Sequence, residues 1–121
     1  MTNTQRTNAY LKKLGWDSDI VERWIPIKKH PGGGVRRDLF NFIDIIALGD
    51  DHIWGVQSCG QNFAEHDRKI RQQGHFALKW YKLGGKIMLI GWRKVVKEPR
   101  KDKRKVWKPR IKRYEMKDFL L

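Results

Sequence analysis

The chain has 121 residues, enough for one domain with a modest core and too few for separate binding and catalytic modules, so any active site must share its scaffold with the binding surface. Twenty-seven Lys and Arg against 13 Asp and Glu leave a formal charge of +14; nucleic acid is the expected partner, although a ribosomal-type or membrane-surface protein carries similar charge, so the charge sets a partner class and not an activity. A single cysteine, Cys59, excludes an intrachain disulfide, and with no apolar stretch of bilayer-spanning length a soluble, cytoplasmic protein is expected.

In chain order, residues 4–14 read as a helix with Ala9 or Tyr10, Leu11 and Leu14 on one side and Gly15 as its stop. Residues 21–27, where Val21, Arg23 and Ile25 alternate against Glu22 and Trp24, predict a strand ending near Pro26. The segment from His30 through Pro31 to Gly34 has little to pack and predicts a mobile loop. Residues 40–48 are nearly continuously apolar and predict a central strand buried on both faces, interrupted by Asp44. Gly49, Asp50 and Asp51 make a turn into a second strand at 52–58, completing a hairpin.

Residues 62–73 predict a helix that breaks or bends at Gly74, resumes towards Leu83 and ends at Gly84 and Gly85. Residues 86–95, with Ile87, Met88, Leu89 and Ile90, predict another buried strand. Residues 105–115 alternate Trp107, Pro109 and Ile111 against Lys108, Arg110 and Lys112, and Pro109 makes this an edge strand. The stretch 93–113 holds twelve Lys or Arg against Glu98 and Asp102. It reads either as a solvated loop and edge strand or as a phosphate-contacting arm, and Trp92 and Trp107, which can anchor or stack, favour the arm.

Asp44 is the most informative residue, because a carboxylate within Phe42-Ile43-Asp44-Ile45-Ile46-Ala47 is costly to bury without a positive partner. A metal ion or a Lys or Arg would serve equally well. Across the turn lies Ile53-Trp54-Gly55-Val56-Gln57-Ser58-Cys59, and the hairpin can bring Gln57 beside Asp44. The glycine triplet lacks the Lys-Ser/Thr of a nucleotide-cradling loop, the four His and one Cys lack paired zinc spacing, and Cys59 has no recognisable base beside it in sequence.

These residues resemble the PD-(D/E)xK nuclease superfamily, which includes Holliday-junction resolvases and many restriction enzymes. There the strand before the turn carries an Asp, here Asp44, and the next strand carries Glu or Asp, any residue, then Lys, here Gln57-Ser58-Cys59. The chain is particularly similar to small phage-borne endonuclease-like proteins through Asp38-Leu39-Phe40-Asn41-Phe42-Ile43-Asp44, Val56-Gln57, Glu22-Arg23-Trp24 and Gly91-Trp92-Arg93-Lys94. The resemblance implies an α/β fold with a restriction-endonuclease-like core, a mixed central sheet flanked by helices in the order α-β-β-β-α-β, here with an extra C-terminal basic strand. It also implies Mg²⁺- or Mn²⁺-dependent endonuclease activity on branched or structured DNA, a homodimer, and phage-encoded action in a host cytoplasm.

Two departures stand out. Gln57 replaces the acidic ligand and Cys59 replaces the Lys, although a Gln carbonyl can still ligate a hard cation. Expected metal ligands are Asp44, Gln57 and Asp38, with Glu22 the other candidate carboxylate. Expected catalytic residues are Asp44, Gln57, Glu22 and Lys69, which shares a helix face with Glu65 and His66; Arg68 is the second choice for the missing cation. For any one of these helix residues the ordinary alternative is a solvated side chain. Expected nucleic-acid contacts are Arg36, Arg37, Arg68, Arg93, Lys94, Arg100, Lys101, Lys103, Arg104, Lys105, Lys108 and Arg110. The competing readings are a nuclease fold that has lost catalysis and serves as a DNA-binding module, and a basic RNA-binding component.

Overall fold

A computed structural model describes residues 1–98 and 102–120, without the side chains of Glu98, Asp102 and Lys103. Helix α1 (Asn3–Lys13) starts at a capping box, in which the Thr2 hydroxyl accepts from the Gln5 N–H and the Gln5 side chain accepts from the Thr2 N–H. It stops at Gly15, whose φ of 86° suits a residue without a Cβ. The face it buries is Thr4, Thr7 and Leu11. Leu14, expected on that face, is instead the exposed C-cap, and Ala9 is exposed as well.

The main sheet has five strands in the order β1-β4-β5-β6-β7, comprising β1 (Asp17–Ile20), β4 (Ile45–Leu48), β5 (Ile53–Cys59), β6 (Gly85–Glu98) and β7 (Asp102–Arg113). Only β5 and β6 run parallel, joined by the crossover of α2 (Phe63–Arg71) and α3 (Gly74–Lys82); the other pairs are antiparallel. The fold is thus α/β with a mixed sheet. Leu11, Ile45, Val56, Met88, Ile90 and Trp92 form the core on the α1 face, while Phe42, Ile43, Phe63, Ile70, Ile87 and Leu89 form it under α2 and α3. Each fully buried aliphatic side chain contributes about 1.5–3 kcal/mol relative to exposure. Among the described residues no helix is long and apolar enough to cross a membrane.

Three expectations need correction. The strand expected at 21–27 is not in the main sheet: β2 (Arg23–Pro26) pairs with β3 (Gly34–Arg37) in a separate two-stranded sheet. Its place beside β4 is taken by β1, which the sequence does not advertise because only Ser18 of Asp17–Ile20 is buried. The chain leaves the main sheet at Val21 and Glu22, whose N–H groups both donate to the Asp44 carbonyl at 2.8 and 3.1 Å. The glycine segment is a hydrogen-bonded hairpin tip in which Gly34 is a buried strand residue. A Cβ there would lie 2.3 Å from the Ile25 carbonyl oxygen, so only glycine fits this close approach.

The third correction concerns 40–48. Only Ile45–Leu48 is strand, and the preceding residues fold back in a compact turn, with Leu39 bridging Ile43 and with Phe40 and Asn41 at φ of 53° and 68°. Phe42 and Ile43 are buried as turn residues, which is why their hydrophobicity imitated a strand. Asp44 therefore stands at the entrance to β4 and not in the middle of a strand.

The turn at 49–51, the helix break before Gly74 and the strand β6 agree with expectation. β7 lies at the sheet edge, and its Pro109 sits opposite Trp92. Asp67 ties α2 to the far end of β7 by accepting from Lys112 at 3.0 Å and from the Tyr114 hydroxyl at 2.5 Å. Opposite Cys59, Gly91 meets the first turn of α2, where an added Cβ would fall 2.7 Å from the Phe63 ring.

Candidate functional site

Asp44 and Gln57 are almost fully buried, at 3% and 2% exposure, on the sheet face covered by α2. The antiparallel register of β4 and β5 places them side by side, and the Gln57 amide donates to Asp44 Oδ2 at 2.5 Å. The Ser58 backbone N–H donates to the same oxygen at 2.8 Å. Among the described residues no Lys or Arg pairs with Asp44, so the alternative of a cation-paired sheet-end Asp does not describe this residue.

Two further carboxylates reach the same spot from the segments that leave the main sheet. Glu22 comes from the β1–β2 connection and Asp38 follows β3. One oxygen from each of Glu22, Asp38 and Asp44 can be chosen so that all three lie within 4.8 Å of one another. The expected helix cation is there too: Lys69 Nζ lies 2.6 Å from Asp38 Oδ2. Arg36 makes a looser pair with Glu22, at 3.7 Å.

The electrostatics follow from this crowding. Burial, then hydrogen bonding and repulsion from Asp38, push the Asp44 carboxyl up to about 9, against the smaller opposing effect of the Ser58 N–H. Burial also acts on Asp38, but its hydrogen bonds to Asp44 and Lys69 and the Lys69 charge outweigh it and hold Asp38 below the ordinary carboxylate range. The pair therefore keeps one proton, on Asp44, where the charge is most costly. His66, whose Nδ1 has no hydrogen-bond partner among the described residues, is lowered by burial and by Lys69, so its neutral form is favoured.

Cys59, at the position where the resemblance expects a Lys, is a buried core residue whose thiol burial pushes up to about 11. No cation stands at position 59; the Lys that reaches the carboxylate cluster comes from α2, at Lys69. Arg68, the second choice, is exposed and does not line the site.

The cluster opens into a cleft of about 820 Å³ whose walls include Arg36, Arg37, Lys69, His66 and, from the α1 side, Asn3, Arg6 and Trp107. Of the expected nucleic-acid contacts, Arg36 and Arg37 line this cleft. Arg93, Lys94, Arg104, Lys105, Lys108 and Arg110 are exposed along the β6–β7 hairpin, where Arg110 also lies 4.0 Å over the Phe63 ring. Arg100 and Lys101 lie outside the described residues, as does the side chain of Lys103. Sequence reasoning missed Arg6, which faces the cleft from the first helix; a single Arg on a short helix carries no signal until the helix is docked.

The donor set suits a hard divalent cation: two or three carboxylates, all oxygen ligands, and the Gln57 Oε1, a buried acceptor with no hydrogen-bond partner among the described residues. A buried orphan acceptor beside three crowded carboxylates fits a site that a cation completes. No protein-family model, curated protein or solved structure matches this chain.

Proposed function

We propose that this protein is a Mg²⁺- or Mn²⁺-dependent endonuclease with a restriction-endonuclease-like core, cutting phosphodiester bonds in DNA, branched or otherwise structured DNA in particular. The observation that carries the reading is the convergence of Glu22, Asp38 and Asp44 within 4.8 Å in a cleft walled by Arg36, Arg37 and Lys69. Acidic groups that gather a cation, set inside a basic rim that gathers phosphate, are what metal-assisted phosphodiester hydrolysis needs.

The division of labour follows from position. Asp44, Asp38 and Gln57 would hold the cation, with Glu22 as the further carboxylate. A cation held there would supply polarisation of the phosphodiester and a water of lowered pKa. Lys69, at the edge of the cluster, can shift from Asp38 towards a phosphate oxygen and stabilise the charge that develops there. His66, favoured neutral, is placed to accept a proton within the cleft. Arg36 and Arg37 align the backbone. A homodimer would let two such sites cut two strands.

The second reading, a DNA-binding module without catalysis, is favoured by the Asp38–Lys69 pair and the retained proton, which together neutralise part of the cluster without metal. Incubation with plasmid and four-way-junction DNA in Mg²⁺, Mn²⁺ or EDTA separates the two. Metal-dependent nicking that disappears in Asp44→Ala, with folding and DNA binding retained, is the expected outcome. Binding with no nicking in either metal favours the module, and nicking that survives Asp44→Ala refutes the assigned centre.

A further inference from the structure

The two tryptophans of the basic hairpin have opposite surroundings. Trp92 is 5% exposed, its Nε1–H donates to Thr7 Oγ1 at 2.8 Å, and Tyr10 packs edge-on against it. Trp107, on the same face of the sheet, is 43% exposed. Its ring is nevertheless supported. The Arg6 guanidinium reaches both indoles, 5.8 Å from the centroid of the Trp92 ring and 3.8 Å from that of the Trp107 ring. Arg6 is itself held by the Asn3 side chain at 2.9 Å. Lys94, opposite Trp107 in the strand register, brings its Nζ to 5.0 Å from the ring.

Trp107 also lines the carboxylate cleft. A large aromatic surface, steadied by two cations and left open in the wall of a cleft suited to a polyanion, points to a ligand that carries both phosphates and flat apolar faces. Nucleic acid bases have such faces, but in a duplex they are stacked on one another, and only their edges and the backbone are reachable. An indole can stack only on a base that is unpaired or turned out of the helix.

We infer that Trp107 is a stacking platform for an unpaired base, so that the substrate class is nucleic acid with a single-stranded or extruded nucleotide beside the backbone gripped by the cleft. This rests on the nuclease reading for the nature of the cleft's ligand. It goes beyond that reading in naming what distinguishes a substrate from plain duplex. Arg6 and Lys94 hold the phosphates flanking the stacked base, and Trp92 fixes the floor beneath them.

The test is equilibrium binding in EDTA, so that cleavage plays no part, with a labelled single-stranded oligonucleotide and a blunt duplex of the same length. Trp107→Ala is expected to weaken single-strand binding about 5- to 100-fold, as loss of one base-stacking contact does. Duplex binding should stay within about twofold, and the salt dependence should keep its slope, because no cation is removed. Trp107→Phe should restore most of the single-strand affinity and Trp107→Leu should not, which separates stacking from apolar support of Arg6. Equal losses on both oligonucleotides, no loss on the single strand, Leu performing as well as Phe, or no binding by the wild type each overturn the inference. Nicking is scored separately with metal present. Absence of nicking with the stacking pattern intact sinks the nuclease reading alone, whereas nicking with single-strand binding unchanged in Trp107→Ala sinks this inference alone.

Discussion

Gln57 and Ser58 are neighbours on one strand, both buried, and they face opposite sides of the sheet into two polar clusters with different characters. On the α1 side, the Ser58 hydroxyl meets Thr7 Oγ1 at 2.7 Å and Trp92 Nε1–H donates to the same Thr7 oxygen, a neutral network with its donors and acceptors paired. On the α2 side, Gln57 meets Asp44 and Asp38, keeps an Oε1 with no hydrogen-bond partner among the described residues, and borders an acid whose proton is held far above its usual range. Burial and polarity alone do not distinguish a structural cluster from a working one. Satisfaction does: the paired network locks a helix onto the sheet, and the unpaired one is left with capacity for a ligand.

Three perturbations set the two sides against each other. The largest effect is expected from Lys69→Met on the α2 side, which should lower metal-dependent cleavage by about 10²–10³-fold, the usual consequence of losing one charge-stabilising group. Metal binding at equilibrium should persist, because Asp38 then has no competitor for its charge. Calorimetric titration with Mg²⁺ or Mn²⁺ beside a cleavage time course checks both halves, and a variant that cleaves like wild type removes Lys69 from the chemistry.

Next comes the dependence of metal-free stability on pH. Asp44 rises in the fold from an ordinary value of 3.8 to about 9, so its contribution is fully present at low pH and is lost as pH climbs towards 9. Asp38 is shifted downward, and its contribution is lost only on acidification below the ordinary carboxylate range, so it does not change in the window above. Below about pH 7 the lowered His66 acts in the opposite direction, so in EDTA the fall in melting temperature should be read between about pH 7 and 9, where it corresponds to a stability loss on the order of a few kcal/mol. Asp44→Asn should flatten that slope. With Mg²⁺ present the wild-type trend should reverse, because a cation binds the ionised carboxyls. A wild-type profile in EDTA as flat as that of the Asn variant would contradict the assigned proton.

The smallest effect belongs to the other side. Thr7→Val leaves the Trp92 N–H and the Ser58 hydroxyl without their partner and should cost about 1–3 kcal/mol of stability. Cleavage well below the melting temperature should be unchanged. Denaturant unfolding and activity measured together test this. Loss of activity without loss of stability would mean that the two sides are not separate.

How much of this was legible in the sequence varies with the kind of signal. Asp44 stood out because a carboxylate inside an apolar run demands an explanation, and Gly49, Asp50 and Asp51 announced the hairpin that sets Gln57 beside it. Lys69 was reachable by helical spacing. The short strand Asp17–Ile20 was not, since an edge strand with one buried residue has no hydrophobic pattern to read. The turn at Leu39 to Phe42 was misread because buried turns are as apolar as strands, and period cannot separate them over so few residues. Which carboxylates point inward depended on where the chain leaves the sheet, at Val21 and Glu22, a tertiary fact with no local signature. Trp92 and Trp107 likewise look alike in the sequence and differ only once Thr7 is docked against one of them.

The contact of Phe63 with Gly91 has a mechanical consequence. Helix α2, which carries Lys69 and His66, is seated on a bare stretch of backbone, so an absent methyl group sets how low the helix rides. Any side chain introduced at Gly91 would act as a wedge beneath the first turn and tilt the whole rod outward. The 2.6 Å reach from Lys69 to Asp38 is the span that such a tilt would stretch.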